Sequence, residues 1–173
     1  MKSIERVSMN QNKISDISVF KNVPQIKAIW LQENSVSDIS PLKDCKNLEE
    51  LGLSYNKGFS DISALKGKNK LIYLHLGADS ITDISVLSTC TALKEVYLFD
   101  NYITDFSALT KQENLQIVCL NNNCIFTDKI AETLYGMCVD IKLELYDNGI
   151  TDEMASALSQ NIYSTDGKGM IYY

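Results

Sequence analysis

The chain has 173 residues, 45% apolar and 22% charged, enough for one globular domain with a substantial core. A net charge of −6 disfavours nucleic acid or an anionic membrane as a general partner. Two prolines and eight glycines argue against a disordered or collagen-like chain, and five cysteines, odd in number and widely spaced, favour reduced thiols.

The first segment, MKSIERVSMNQNKISDIS, is polar and lacks the apolar run of a signal peptide or membrane span, so no membrane insertion is expected. If Met1 is the true start, the expectation is a cytoplasmic protein; if a leader has been removed, it is a secreted or cell-surface one.

From there the chain repeats. Asn12, Asn34, Asn56, Asp79, Asn101, Asn123 and Asn148 are separated by 22, 22, 23, 22, 22 and 25 residues. Each follows an apolar-x-apolar pair: Val7/Met9, Ile29/Leu31, Leu51/Leu53, Leu74/Leu76, Val96/Leu98, Val118/Leu120 and Leu143/Leu145. A further apolar residue precedes most pairs (Ile4, Ile26, Leu48, Leu71, Leu93, Leu115), and another follows each asparagine (Ile14, Val36, Phe59, Ile81, Ile103, Ile125, Ile150). Repeats therefore start near residues 4, 26, 48, 71, 93, 115 and 140 of a single 1–173 domain, with a tail at 162–173.

Each rung has a chemical logic. Alternation with period two sends both apolar residues to one face of a short strand. A buried asparagine then supplies donors and an acceptor to the turning backbone. Asp79 lacks those donors, so Asp79→Asn is expected to be neutral or stabilising. Asp16, Asp38, Asp61, Asp83 and Asp105 sit where an aspartate accepts amide hydrogen bonds at the start of a helical turn. Capping is a better reading of this row than calcium binding, which needs several ligands in one short loop.

Rung three carries an extra residue in NKGF, where Gly58 permits a bulge. Rungs six and seven change character: FTDKIAETLYGM and TDEMASALSQ have helical spacing. The tail, GKGMIYY, is expected to add a short strand over the last rung. At the N-terminus the apolar edge at Val7 and Met9 is expected to be exposed, covered by residues 1–4, or paired with another chain.

This pattern resembles the leucine-rich repeat family, whose signature is LxxLxLxxNxI. LEELGLSYNKGFSDISAL and LKEVYLFDNYITDFSAL are the strongest copies, and seven in register are far more specific than one. The 22-residue unit ending in I-[ST]-D-I-S-x-L is most similar to bacterial internalins, and secondarily to the leucine-rich regulatory subunit of protein phosphatase 1. Rungs six and seven look more like ribonuclease-inhibitor repeats. The resemblance implies an α/β solenoid: a curved right-handed coil with a parallel concave sheet of about seven strands. Short 3-10 turns would line its convex side, with α-helices in the last two repeats. It also implies a non-catalytic module that binds a protein. The alternatives are a structural or self-associating repeat module, stacking through the N-terminal edge, and an internalin-like cell-surface adhesin.

The strand pattern then assigns the outward residues. Trp30, Tyr73, Tyr97, Phe99 and Tyr146 point from the concave face, with Tyr55 at a strand end. Gly52 and Gly77 are expected to leave gaps beside these rings as shallow pockets. Glu50, Glu95 and Asp100 add charge, so a neutral or basic protein partner is expected. His75, the single histidine, joins this set, and Glu50 or Glu95 is expected to raise its pKa. A catalytic reading fails: Cys119 shares the His75 column but lies two rungs away, roughly 10 Å at the usual strand spacing, with Tyr97 between them. Asp79 points inward. Cys45 and Cys90 fall at equivalent core positions. No catalytic residue, metal ligand or cofactor is assigned.

Overall fold

Apolar residues at alternate positions favour short strands, and a repeat that cannot bury its own apolar face must stack on the next. The computed structural model describes residues 4–56, 58–125, 133, 141–151, 153 and 170–172, and there the stack is continuous. Eight three-residue strands form one parallel sheet in chain order. They are β1 (Arg6–Ser8), β2 (Ala28–Trp30), β3 (Glu50–Gly52), β4 (Tyr73–His75), β5 (Glu95–Tyr97), β6 (Ile117–Cys119), β7 (Lys142–Glu144) and β8 (Met170–Tyr172). Register follows the repeat: Val7, Ile29, Leu51, Leu74, Val96, Val118, Leu143 and Ile171 pair in succession. The tail thus supplies the eighth strand. The helices expected in rungs six and seven lie outside the described residues.

The core is a stack of equivalent layers. Ile29, Leu31, Leu51, Leu53, Leu74, Leu76, Val96, Leu98, Val118 and Leu120 are fully buried, as are Ile26, Leu48, Leu71 and Leu93 from the preceding leg. Among the described residues the layer thins at rung one, where Ile4 is 61% and Met9 41% exposed.

Polar side chains close the turns. Asn34, Asn101 and Asn123 each donate from Nδ2 to carbonyls of their own and the preceding rung, among them Leu31, Leu76 and Leu98. Their Oδ1 atoms accept the amides of Ile14, Ile81 and Ile103. Asn56 and Asn148 do the same. The residue before each ladder position has a left-handed backbone: Gln11, Glu33, Tyr55, Ala78, Asp100, Asn122 and Asp147, with φ between 50° and 61°.

On the return leg, Asp16, Asp38, Asp61, Asp83 and Asp105 accept the amides of Ser18, Ser40, Ser63, Ser85 and Ser107 at 2.7–2.8 Å. These serines open the 3-10 turns Ser18–Asn22, Ser40–Leu42, Ser63–Leu65, Ser85–Thr89 and Ser107–Leu109. Each aspartate spans two residues to the first turn position, an Asx-turn one step upstream of the formal cap. These bonds to the serines hold Asp16, Asp61 and Asp83 below the usual carboxylate range.

A second column, on the convex side, joins unlike side chains. Cys45 Sγ, Lys68 Nζ, Cys90 Sγ and Gln112 Nε2 donate to the carbonyls of Phe20, Leu42, Leu65 and Leu87 in the preceding turn. Cys45 and Cys90 are therefore hydrogen-bonded as well as core-filling. Lys68, only 1% exposed, also reaches the carbonyls of Lys43 and Cys45.

Candidate binding surface on the concave sheet

Strand alternation places the intervening residues of β2 to β7 on one open face. Glu50, Tyr73 and Glu95 are register partners in the first outward column, and Gly52, His75 and Tyr97 in the next. Without a side chain at Gly52, Trp30 leans across it and reaches His75 two rungs away, with ring centroids 5.1 Å apart. On its other side His75 stacks on Tyr97 at 4.3 Å. Trp30, His75 and Tyr97 form a continuous aromatic rail.

A second cluster lies alongside it. Phe99 covers Gly77, and its ring centroid is 5.7 Å from that of Tyr55, which is 52% exposed. The gaps expected at Gly52 and Gly77 are therefore not pockets. A Cβ would lie 2.2 Å from Trp30 Cε3 at Gly52 and 2.5 Å from Phe99 at Gly77, so the rings already fill both spaces. Gly52→Ala is expected to dislodge Trp30, the single tryptophan, and move its emission to longer wavelength. An unchanged spectrum would place the ring elsewhere.

The charges are less free than the sequence suggests. Glu50 accepts from Trp30 Nε1 at 3.0 Å and pairs with Arg6 at 2.7 Å, and the Arg6 bond holds its carboxyl below the usual range. Glu144 pairs with Lys142 at 2.6 Å. Tyr97 Oη donates to Glu95 at 3.2 Å, and Asn122 donates to Asp100 at 2.6 Å. Among the described residues, no ion pair engages Glu95 or Asp100. Tyr146 lies at the far end on the rung of β7, 41% exposed.

The outward polar column is partly structural, which the sequence reading missed. Asn10, Ser54 and Asn121 accept the amides of Gln32, Gly77 and Tyr146 beyond the strand ends. Recurrence of small polar residues just after the strand was the available signal.

His75 corrects one expectation. Burial between two rings lowers its imidazole below the ordinary value and outweighs the opposing pull of Glu95; Glu50 is not among its influences. Tyr97 intervenes between it and Cys119, as the register requires. Burial pushes the Cys119 thiol up to about 11, so thiolate is scarce at neutral pH. Among the described residues, no group of three or more His, Cys, Asp or Glu is placed to hold a metal ion, and no helix is long and apolar enough to cross a membrane.

A family model for Leucine Rich repeats (2 copies) matches residues 24–67 and 69–111, half of the chain. The chain belongs to the leucine-rich repeat family, whose members generally act as protein-interaction modules. Its fold is similar to internalin C2 of Listeria monocytogenes, with 23% identity and a TM-score of 0.64 over 97% of this chain and 80% of that one. A leucine-rich repeat protein of Leptospira interrogans gives 22% identity and a TM-score of 0.73, over 99% of this chain and 49% of that one. The plant peptide hormone receptor RGFR1, solved in complex with RGF2, gives 19% identity and a TM-score of 0.66, over 80% of this chain and 23% of that one. The chain thus spans about half of the Leptospira protein and a quarter of the plant receptor. No curated protein sequence matches it.

Proposed function

We propose that this chain is a non-catalytic recognition module that binds a neutral or basic protein through its concave sheet. The observation that carries the reading is the aromatic rail of Trp30, His75 and Tyr97 beside the Tyr55–Phe99 cluster, rings lying on the same face as Glu50, Glu95 and Asp100. Aromatic anchors within a polar rim are what protein interfaces favour. Trp30, Tyr97 and Phe99 are the anchors, Tyr55, Tyr73, His75 and Tyr146 extend the surface, and Glu95 and Asp100 meet cationic groups of the partner. Glu50 serves mainly to hold Trp30 through its indole N–H. The complex of the plant receptor supports the class of activity, not the partner's identity. The buried, protonated Cys119 thiol and the ring between it and His75 support the absence of catalysis.

The partner is to be captured from the source organism with the intact chain and identified by mass spectrometry. Alanine at Tyr97 or Phe99 is then expected to weaken binding by about 2 kcal/mol, roughly 30-fold, as buried aromatic anchors do. Unchanged affinity in both variants would remove the concave face as the binding surface.

A further inference from the structure

The buried ladder fails at one rung, next to an irregularity of a different kind. Asp79 is only 8% exposed, and both carboxylate oxygens are buried with no hydrogen-bond partner. It packs against rung three, which carries the extra residue and turns at Gly58 with φ +67°. In regular rungs the Oδ1 atom accepts the amide 20 residues earlier, but no such bond joins Phe59 to Asp79. The backbone bond there is stretched as well. Ser80 N to Phe59 O is 3.4 Å, against 2.8–3.0 Å for the equivalents at Ser35, Tyr102 and Cys124.

Ladder carbonyls on both sides also lack a donor. Leu31, Leu98 and Leu120 each accept from two asparagine side chains. Among the described residues, Leu53 accepts from one asparagine side chain, that of Asn56, and Leu76 from one, that of Asn101. By register the missing donor in both cases is the side chain of residue 79.

We propose that Asp79 is a proton-operated latch between rungs three and four. In the folded chain its neutral carboxyl donates to the Leu53 or Leu76 carbonyl, and ionisation turns the group toward the Asn56 and Gly58 amides. A charged carboxylate beside two carbonyl oxygens is repelled, whereas one added proton restores a ladder donor. Among the described residues the groups facing it are uncharged: the Asn56 and Gly58 amides from rung three, the two carbonyls, and Asn101 from rung five, whose Nδ2 is committed to Leu76, Leu98 and Phe99. Burial raises the Asp79 pKa to about 7, with those two amides drawing it part of the way back without meeting hydrogen-bond geometry. Tyr55 immediately precedes the insertion and contacts Phe99, so movement there reaches the concave face. The latch itself does not depend on what that face binds.

The folded pKa of about 7 lies above the ordinary 3.8, so between those values the folded state holds the proton that the unfolded chain has released. The stability it contributes is present at low pH and lost as pH rises toward 7. The unfolding constant should climb about tenfold per pH unit within the window.

The test is urea unfolding of the wild type and Asp79→Asn between about pH 5 and 8, with infrared spectra of both in the carboxylic-acid carbonyl region. The expected result is a stability gap in favour of Asp79→Asn that widens by about tenfold in equilibrium constant per pH unit and levels off above 7. The folded wild type should show a protonated carboxyl band near pH 6 that vanishes at high pH and is missing in the variant. A pH-independent gap, or no such band, overturns the proposal. So does calcium or magnesium at pH 8 stabilising the wild type but not Asp79→Asn, which would make the occupant a cation. If the variant does not fold, the wild-type band alone decides.

Discussion

Asn101→Ala is expected to lose about 3–4 kcal/mol of unfolding free energy, among the largest effects of any single polar truncation in the chain. The Asn101 side chain donates to Leu76, Leu98 and Phe99 at 2.8–3.2 Å and accepts the buried Ile81 amide at 2.9 Å. Alanine orphans that amide, which alone costs about 1–3 kcal/mol. Position matters too. Leu98 keeps a second asparagine donor in Asn123, but Leu76 has no second asparagine, because the ladder position of its own rung is Asp79. Asn123→Ala should therefore cost about 1 kcal/mol less, since Leu98 and Leu120 retain Asn101 and Asn148. Urea denaturation of the two variants checks the ranking, and equal losses would show that the ladder bonds are not shared as described.

Lys68→Ala is expected to cost about 3 kcal/mol, while Lys68→Gln should fall within about 1 kcal/mol of the wild type. Lys68 is among the largest fully buried side chains, and its ammonium is spread over three carbonyls. Burial lowers its pKa, a sign that solvation is incompletely replaced. Glutamine loses two of the three bonds but also removes a buried charge, and those effects oppose each other. Gln112 already shows that an amide can do this work, donating to Leu87 at 2.9 Å. Alanine leaves both a cavity and unmet carbonyls. Thermal and urea unfolding of the pair would separate the two, and a large loss in Lys68→Gln would mean that the charge itself is required.

The parts of this fold that could be read from sequence are those written in one chemical kind of residue at a nearly constant interval. Apolar pairs, ladder asparagines and turn aspartates recur every 22 or 23 residues as far as Asn123, and each has one physical role. Features served by several residue types were opaque. The convex column alternates cysteine, lysine, cysteine and glutamine, which share only a donor pointing at the same carbonyl. The left-handed position before each ladder residue holds Gln, Glu, Tyr, Ala, Asp, Asn and Asp, and so lacks the glycine signature that would betray it. On the concave face, alternation supplied the outward direction of Trp30 and Phe99 but not their lean. That depends on rotamers settled by the empty space at Gly52 and Gly77. Arg6 and Lys142 belong to the same outward column as Glu50 and Glu95, but alternation gives only their direction and not the ion pairs they make with Glu50 and Glu144.

The lean of Trp30 over Gly52 also bears on kinetics. A side chain already wedged against its neighbours has surrendered most of its rotational freedom before any encounter, so little remains to be lost on association. For a partner seated on the rail, that saving would appear chiefly as slow departure rather than fast arrival. For such a partner, residence time more than capture rate is the quantity that Gly52 would control.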